Sequence, residues 1–176
     1  MSKIITIFGK QYQIPIAEKP TGVLASSPEW VVKLDHLTSS ATAGFEDYIE
    51  LIGFRAESGR FSSGSSPALS AASLRHEELI LIVHYGAHAT KIETKMNSGL
   101  PIDIVEAVHL GNEGRKLQTL KYEACHIQSM QQDITGNLIL SIQISKRTNT
   151  VYSYKPDGTS QGQDESFIDY TSRLRR

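Results

Sequence analysis

The chain has 176 residues, a mass of 19.5 kDa and a formal charge of −1 at pH 7. A chain of this length folds as one domain with a full apolar core. Its near-zero charge argues against a protein that mainly grips nucleic acid or an anionic membrane. The single cysteine, Cys125, excludes an intrachain disulfide and fits a reducing compartment. The apolar runs are too short for a signal peptide or a membrane-spanning helix, so we expect synthesis in the cytoplasm and no membrane span.

The N-terminal segment predicts a β-hairpin followed by a linker. Residues 4–8 and 11–14 are two short runs rich in β-branched and aromatic residues, and Gly9 and Lys10 between them favour a tight turn. The prolines, glycine and serines that follow, up to Pro28, do not fit regular structure. We therefore divide the chain into an N-terminal extension, residues 1–28, and a main domain, residues 29–176.

Two strands and a long loop follow the linker. Residues 30–35 and 48–55 are rich in β-branched and aromatic residues, which predicts two strands joined by a small polar loop. Residues 58–67 contain five serines, two glycines and a proline, a composition too polar and too flexible for a core element. This segment is predicted to be a mobile loop.

The helix is predicted at residues 70–85. Ser70 or Ser73 can cap its start, two acidic residues fall in its first turns, and Gly86 supplies a stop. The β-branched residues near its end disfavour this interpretation. Residues 91–96 alternate between apolar and polar side chains, which predicts a strand.

The remainder of the chain is β in character. Residues 117–130 predict a long strand, and 156–158 a reverse turn. The clearest strand signal is an alternation that predicts one face in the core and the other either wet or shared with another element: Leu138, Leu140, Ile142 and Ile144 against Ser141, Gln143 and Ser145. The sum predicts a mainly β fold, an antiparallel β-barrel of two sheets with one flanking α-helix.

Motifs that carry chemistry are absent from the sequence. It contains no glycine-rich phosphate loop and no nucleophile elbow. His84 and His88 have a spacing that can bind metal on a helix, but no further ligand completes the set at a fixed distance. Cys125 and His126 are neighbours in a predicted strand, so they point to opposite faces and cannot act as nucleophile and base. We therefore predict no catalytic, cofactor or metal site, and no enzyme.

The order of these segments from Trp30 onward resembles the Hcp family, the haemolysin-coregulated proteins that build the inner tube of type VI secretion systems. Members begin with a strand of the pattern apolar-x-Lys-apolar-Asp, which is matched by WVVKLD at residues 30–35. The other matching segments are a small polar loop (36–44), a strand ending in an aromatic residue (48–54), a long loop (58–67), a helix ending at glycine (77–86), a strand (89–96), and the C-terminal strands and closing turn (122–130, 138–144 and 152–158).

The resemblance implies a β-barrel subunit that assembles into homo-hexameric rings. Such rings stack into a tube inside a contractile sheath with a spike, the tube can carry effectors in its lumen, and its subunits leave the cell without a signal peptide. It implies no cofactor and no nucleic-acid partner. The flexible loop then becomes the candidate ring-stacking loop, formed by Arg60, Phe61, Ser62, Ser63, Gly64, Ser65 and Ser66.

Other functions remain open at this stage. A contractile phage tail tube protein shares the implied architecture. A β-barrel ligand-binding module or small enzyme would build its site from His84, His88 and Glu93. An adaptor would use the N-terminal hairpin to add a strand to the sheet of a partner.

Overall fold

The computed structural model describes residues 2–16, 29–39, 44–61, 73–76, 78–111 and 114–171. The elements within these residues are β1 (Ser2–Ile7), β2 (Lys10–Pro15), β3 (Trp30–Leu34), β4 (Ile49–Arg55), β5 (Ser58–Phe61), β6 (Ser73–His76), β7 (Leu79–His84), α1 (His88–Asn97), β8 (Ile102–Leu110), β9 (Lys116–Gln132), β10 (Asn137–Gln143), β11 (Lys146–Tyr154) and β12 (Ser160–Asp169). The predicted mainly β fold with one helix is confirmed in this part of the chain. None of its helices is long and apolar enough to cross a membrane.

Six antiparallel strands close into a barrel in the order β10-β7-β4-β3-β8-β9, and β9 pairs back to β10. Closure depends on the length of β9. Its first half pairs with β8 on one side and β11 on the other, and its second half pairs with β10. Ala124, with φ of 51°, lies where the partner of β9 changes from β11 to β10. The barrel interior holds the main apolar core, which also takes up Ala89 and Ile92 of the helix.

The hairpin β1–β2, whose strands and turn the sequence predicted, forms a second layer on the outside of the barrel. Its inward residues Ile5, Ile7, Tyr12 and Ile14 pack on outward residues of β7 and β10, namely Ile80, Ile82 and Ile139. Ile16 bridges to Gly53 on β4. A Cβ atom on Gly53 would stand 2.7 Å from the carbonyl oxygen of Pro15, so only glycine permits this approach.

Strands β11 and β12 form a hairpin that extends the sheet beyond the barrel, and we call it the flap. The two strands pair along almost their full length, and β12 is the last strand of the sheet. Residues 160–167 are all exposed, so this part of β12 has solvent on both of its faces. The flap is joined to the barrel at Ser145, whose carbonyl oxygen accepts the backbone N–H of Tyr170 at 3.0 Å.

The predicted positions of the helix and of the following strand are wrong. Residues 73–76 and 79–84 are strands β6 and β7, and the residues predicted as a strand at 91–96 lie in α1. Residues 79–83 are buried on both faces of the sheet, by the core inside and by the N-terminal hairpin outside, so they are all apolar and show no alternation. The helix buries only a narrow stripe, and its sequence therefore resembles a half-exposed strand. The resemblance to the Hcp family also placed the helix one element too early.

The alternation in β10 is confirmed, and the side predicted to be wet or shared is partly covered and partly wet. Ser141 is fully buried and donates a hydrogen bond to a carboxylate oxygen of Glu78 at 2.9 Å. Gln143, two residues further on, is exposed. The difference arises because Ser141 lies opposite Ile80 on the outer face that the N-terminal hairpin packs against, whereas Gln143 lies beyond the last residue of β10 that pairs with β7. Cys125 and His126 do face opposite sides, one buried and the other exposed, as predicted.

Candidate assembly surfaces

The candidate ring-stacking loop begins in a hairpin formed by strands β5 and β6, which we call the arm. Strand β5 follows directly after β4 and pairs with β6, which leads into β7, so the arm continues the β4–β7 ladder. Arg60 and Phe61 lie in β5, whereas a loop was predicted to include them. The other candidate residues, Ser62, Ser63, Gly64, Ser65 and Ser66, lie outside the described residues.

The outer face of the sheet β3-β8-β9-β11-β12, which we call the ladder face, carries charges that alternate in sign from strand to strand. Direct cross-strand partners share a face of the sheet. The register forms two such rows, Lys33–Glu106–Lys121 and Glu123–Lys146–Asp169. The first row has a net charge of +1 and the second a net charge of −1, so the two rows cancel and this broad polar face holds no concentrated charge of one sign.

Two further contacts tie the ladder face to the segment before β4. Lys33 forms an ion pair with Asp47 at 2.8 Å, and the hydroxyl of Tyr48 donates a hydrogen bond to the Glu106 carboxylate. Burial raises the pKa of Tyr48 strongly, and the hydrogen bond to Glu106 adds to this effect. The tyrosine is therefore a neutral donor, and its ring meets Phe45 edge to face at 5.4 Å. These rings cover a small apolar cluster of Val31, Val108 and Leu110.

The histidines considered as metal ligands do not converge. His84 ends β7 and His88 begins α1, and the ring of His88 contacts the backbone carbonyl of His84 at 2.9 Å rather than its imidazole. A carboxylate oxygen of Glu50 lies 3.8 Å from Nε2 of His84, and Glu93 is exposed on the helix. The described residues contain no group of three His, Cys, Asp or Glu side chains that is able to hold a metal ion.

The outward face of the N-terminal hairpin is uncharged and partly apolar. Ile4 and Phe8 are about two-thirds exposed there, beside Thr6, Gln11 and Gln13. At one edge of the hairpin, Lys3 forms an ion pair with Asp133, and the side-chain amide of Gln131 donates to the carbonyl oxygen of Thr6 at 3.3 Å.

Together these features define a class of fold: a closed six-stranded antiparallel barrel with one helix, extended by an arm and a flap. No protein-family model matches the sequence, and none of the curated proteins matches it. Solved structures do match. A structure described as a type six secretion system protein has a TM-score of 0.73 at 14% identity, and the alignment covers 84% of this chain and 98% of that one.

Two named relatives share the fold. Hcp1 from Salmonella typhimurium has a TM-score of 0.66 at 12% identity and covers 82% of this chain and 95% of its own. The secreted protein Hcp3 from Pseudomonas aeruginosa has a TM-score of 0.56 at 17% identity, with coverage of 77% and 98%. The resemblance to Hcp proteins is therefore confirmed in three dimensions: this chain has the Hcp fold over nearly the whole of those structures.

Proposed function

We propose that this chain is a structural subunit of a type VI secretion tube. The observation that supports this proposal best is the fold match to a type six secretion system protein across 98% of that protein. The solved relatives named above carry type VI or Hcp names, so the phage tail tube is the weaker alternative.

The proposed assembly is a homo-hexameric ring, and rings stack into a tube that contacts a contractile sheath and a spike. A ring built from head-to-tail contacts needs two different sides on each subunit that fit one another, and it needs no catalytic cleft. The flap and the arm lie outside the six barrel strands and are suited to such contacts. The ladder face, whose two rows of charge cancel one another, is suited to a wet wall along which effector cargo passes. Subunits of this kind would leave the cell through the tube machinery without a signal peptide.

Light scattering on a sizing column, combined with negative-stain images of the peak, tests the proposal. We expect a species of six times 19.5 kDa, about 117 kDa, that appears as a ring with an open centre. A compact monomer of 19.5 kDa at every concentration up to the solubility limit would contradict the proposal.

Deletion of residues 62–66 tests the role of the arm in stacking. The serine-rich composition of the deleted segment indicates that the barrel core does not need it. We therefore expect the variant to keep its melting temperature and ring size and to form fewer stacked rings in electron micrographs. Ile134→Ser, a change at a fully exposed turn, is the control and should stack normally. Normal stacking of the deletion variant would refute the role of the arm.

A further inference from the structure

Arg147 is a partly buried cation with no counter-ion among the residues that the structure describes. It lies on β11 at the root of the flap, directly opposite Tyr122 on β9 and Ile168 on β12. Its Nε atom is buried and has no hydrogen-bond partner. Its guanidinium forms no ion pair or hydrogen bond with any residue that the structure describes. The terminal nitrogens are not among the buried unpartnered atoms, so they remain accessible from the surface.

Tyr122 presents a second unpartnered donor at the same place. The side chain is fully buried, and its hydroxyl has no hydrogen-bond partner among the described residues. Burial raises the pKa of Tyr122 to about 12, so the hydroxyl keeps its proton, while the positive charge of Arg147 acts in the opposite direction. Tyr170 and Cys125 also act electrostatically on Tyr122, and burial raises the pKa of the Cys125 thiol to about 12, so this thiol is not an anion.

A cation and a hydroxyl donor in this arrangement need an acceptor. Buried charges in proteins are almost always paired, because a charge removed from water loses its solvation. A buried donor left without a partner costs free energy for the same reason. The described carboxylates nearby face the other side of the sheet, since Glu123 and Asp169 both lie in the ladder face. The guanidinium geometry matches a planar group with two oxygens.

We propose that Arg147 and Tyr122 form a carboxylate-binding site at the root of the flap, filled by an acidic side chain of a second copy of this chain when subunits assemble. The choice of a second copy as the source of the carboxylate rests on the proposed function. It is supported by the position of the flap, which is exposed and extends beyond its own barrel. A free small carboxylic acid has the same chemistry and is the other source.

Acetate is the probe for the site itself. Thermal unfolding of the dissociated subunit is measured in sodium acetate and in sodium chloride at equal ionic strength, for wild type, Arg147→Gln and Tyr122→Phe. We expect acetate to raise the melting temperature of wild type, Arg147→Gln to lose this response, and Tyr122→Phe to need roughly five- to ten-fold more acetate. In chloride, Tyr122→Phe should be as stable as wild type, because its hydroxyl has no hydrogen bond to lose.

Tyr154→Phe is the matched control for Tyr122→Phe. The hydroxyl of Tyr154 donates to the carbonyl oxygen of Lys116 at 2.8 Å, so this variant should lose stability in both salts and keep its response to acetate. An equal response to acetate in wild type and Arg147→Gln would overturn the site. If the melting temperatures of these two proteins differ by as much in chloride as in acetate, the assignment of the site to carboxylates is overturned.

Assembly distinguishes the two sources of the carboxylate. Arg147→Gln should raise the concentration needed for half-assembly by roughly ten-fold or more, and acetate should compete with assembly of wild type. Lys155→Gln, which removes the same charge from an exposed turn, is the control and should assemble normally. Normal assembly of Arg147→Gln with a retained acetate effect on wild type would assign the site to a free acid and overturn the inter-subunit contact, leaving the tube function intact. If acetate raises the melting temperature of a chain that never assembles, the carboxylate site is supported and the tube function is contradicted.

Discussion

Replacing Ile14 with alanine tests whether the N-terminal hairpin belongs to the folding unit. Ile14 is fully buried between the hairpin and the barrel, and its Cγ2 atom lies 3.4 Å from the position that a Cβ atom on Gly53 would take. The change removes the equivalent of three buried CH2 groups, which at about 0.8 kcal/mol each is a transfer loss of about 2.4 kcal/mol. The cavity left behind raises the expected loss of unfolding free energy to about 2.5–4 kcal/mol.

Urea unfolding followed by circular dichroism measures this loss. If the hairpin stays docked, the midpoint falls and the m-value is unchanged; if it detaches from the native barrel, the m-value falls too, because less surface is exposed on unfolding. Ile4→Ala is the control, since it makes the same chemical change on the outward face of the same hairpin, where the side chain is 67% exposed. We expect this control to stay within about 0.5 kcal/mol of wild type. The reasoning is refuted if the two variants unfold alike.

Three further predictions concern the same layers. Gly53→Ala should lower the free energy of unfolding in urea by about 1–3 kcal/mol, because its Cβ would meet the Pro15 carbonyl oxygen. Gly86→Ala is the control and should lower it less, because only a movable histidine side chain is close to Gly86. Burial raises the pKa of Asp133, but its hydrogen bonds from Lys3, Asn137 and Thr135 outweigh this and hold the pKa well below its ordinary value. The ionised Asp133 therefore makes its full contribution to the stability of the fold above pH 4 and loses it in more acidic solution. We expect Asp133→Asn to destabilise the protein at pH 7 and to differ progressively less from wild type below pH 4. A difference in stability that stays constant with pH would contradict this. Burial raises the pKa of Cys125 to about 12, so we expect its thiol not to react with a thiol reagent at pH 8 until the protein unfolds. We also expect the stability of the protein to fall as the pH rises from 9 towards 12, and to fall less steeply in Cys125→Ala.

The sequence predicted the class of fold because strand alternation and turn chemistry are local signals. The N-terminal hairpin, the long strand β9 and the alternation in β10 all follow from neighbouring residues. Residues 79–83 misled the prediction because their burial depends on two distant layers, and a strand covered on both faces loses the period of two. The β-branched residues in that segment were the available signal for a strand.

The proposed carboxylate site had no local signal at all. Arg147 and Tyr122 are 25 positions apart, and only the register of β9 with β11 brings them together. The ladder face also had no local signal, because the residues of each row come from three different strands. The hairpin's docking position was also hidden, although the excess of apolar residues at 79–83 already required a second covering layer. The prediction that residue 28 divides two units stays a prediction.

The length of β9 has a mechanical consequence for a protein that is pushed or pulled. One continuous strand of 17 residues belongs to the barrel wall along its whole length, and its first half also supports the flap. Its ladder hydrogen bonds run across the strand direction. A load applied to the flap along β9 therefore strains many of these bonds at the same moment and does not open them one after another. A flap carried in this way transmits force into the barrel through the one strand that both of them share.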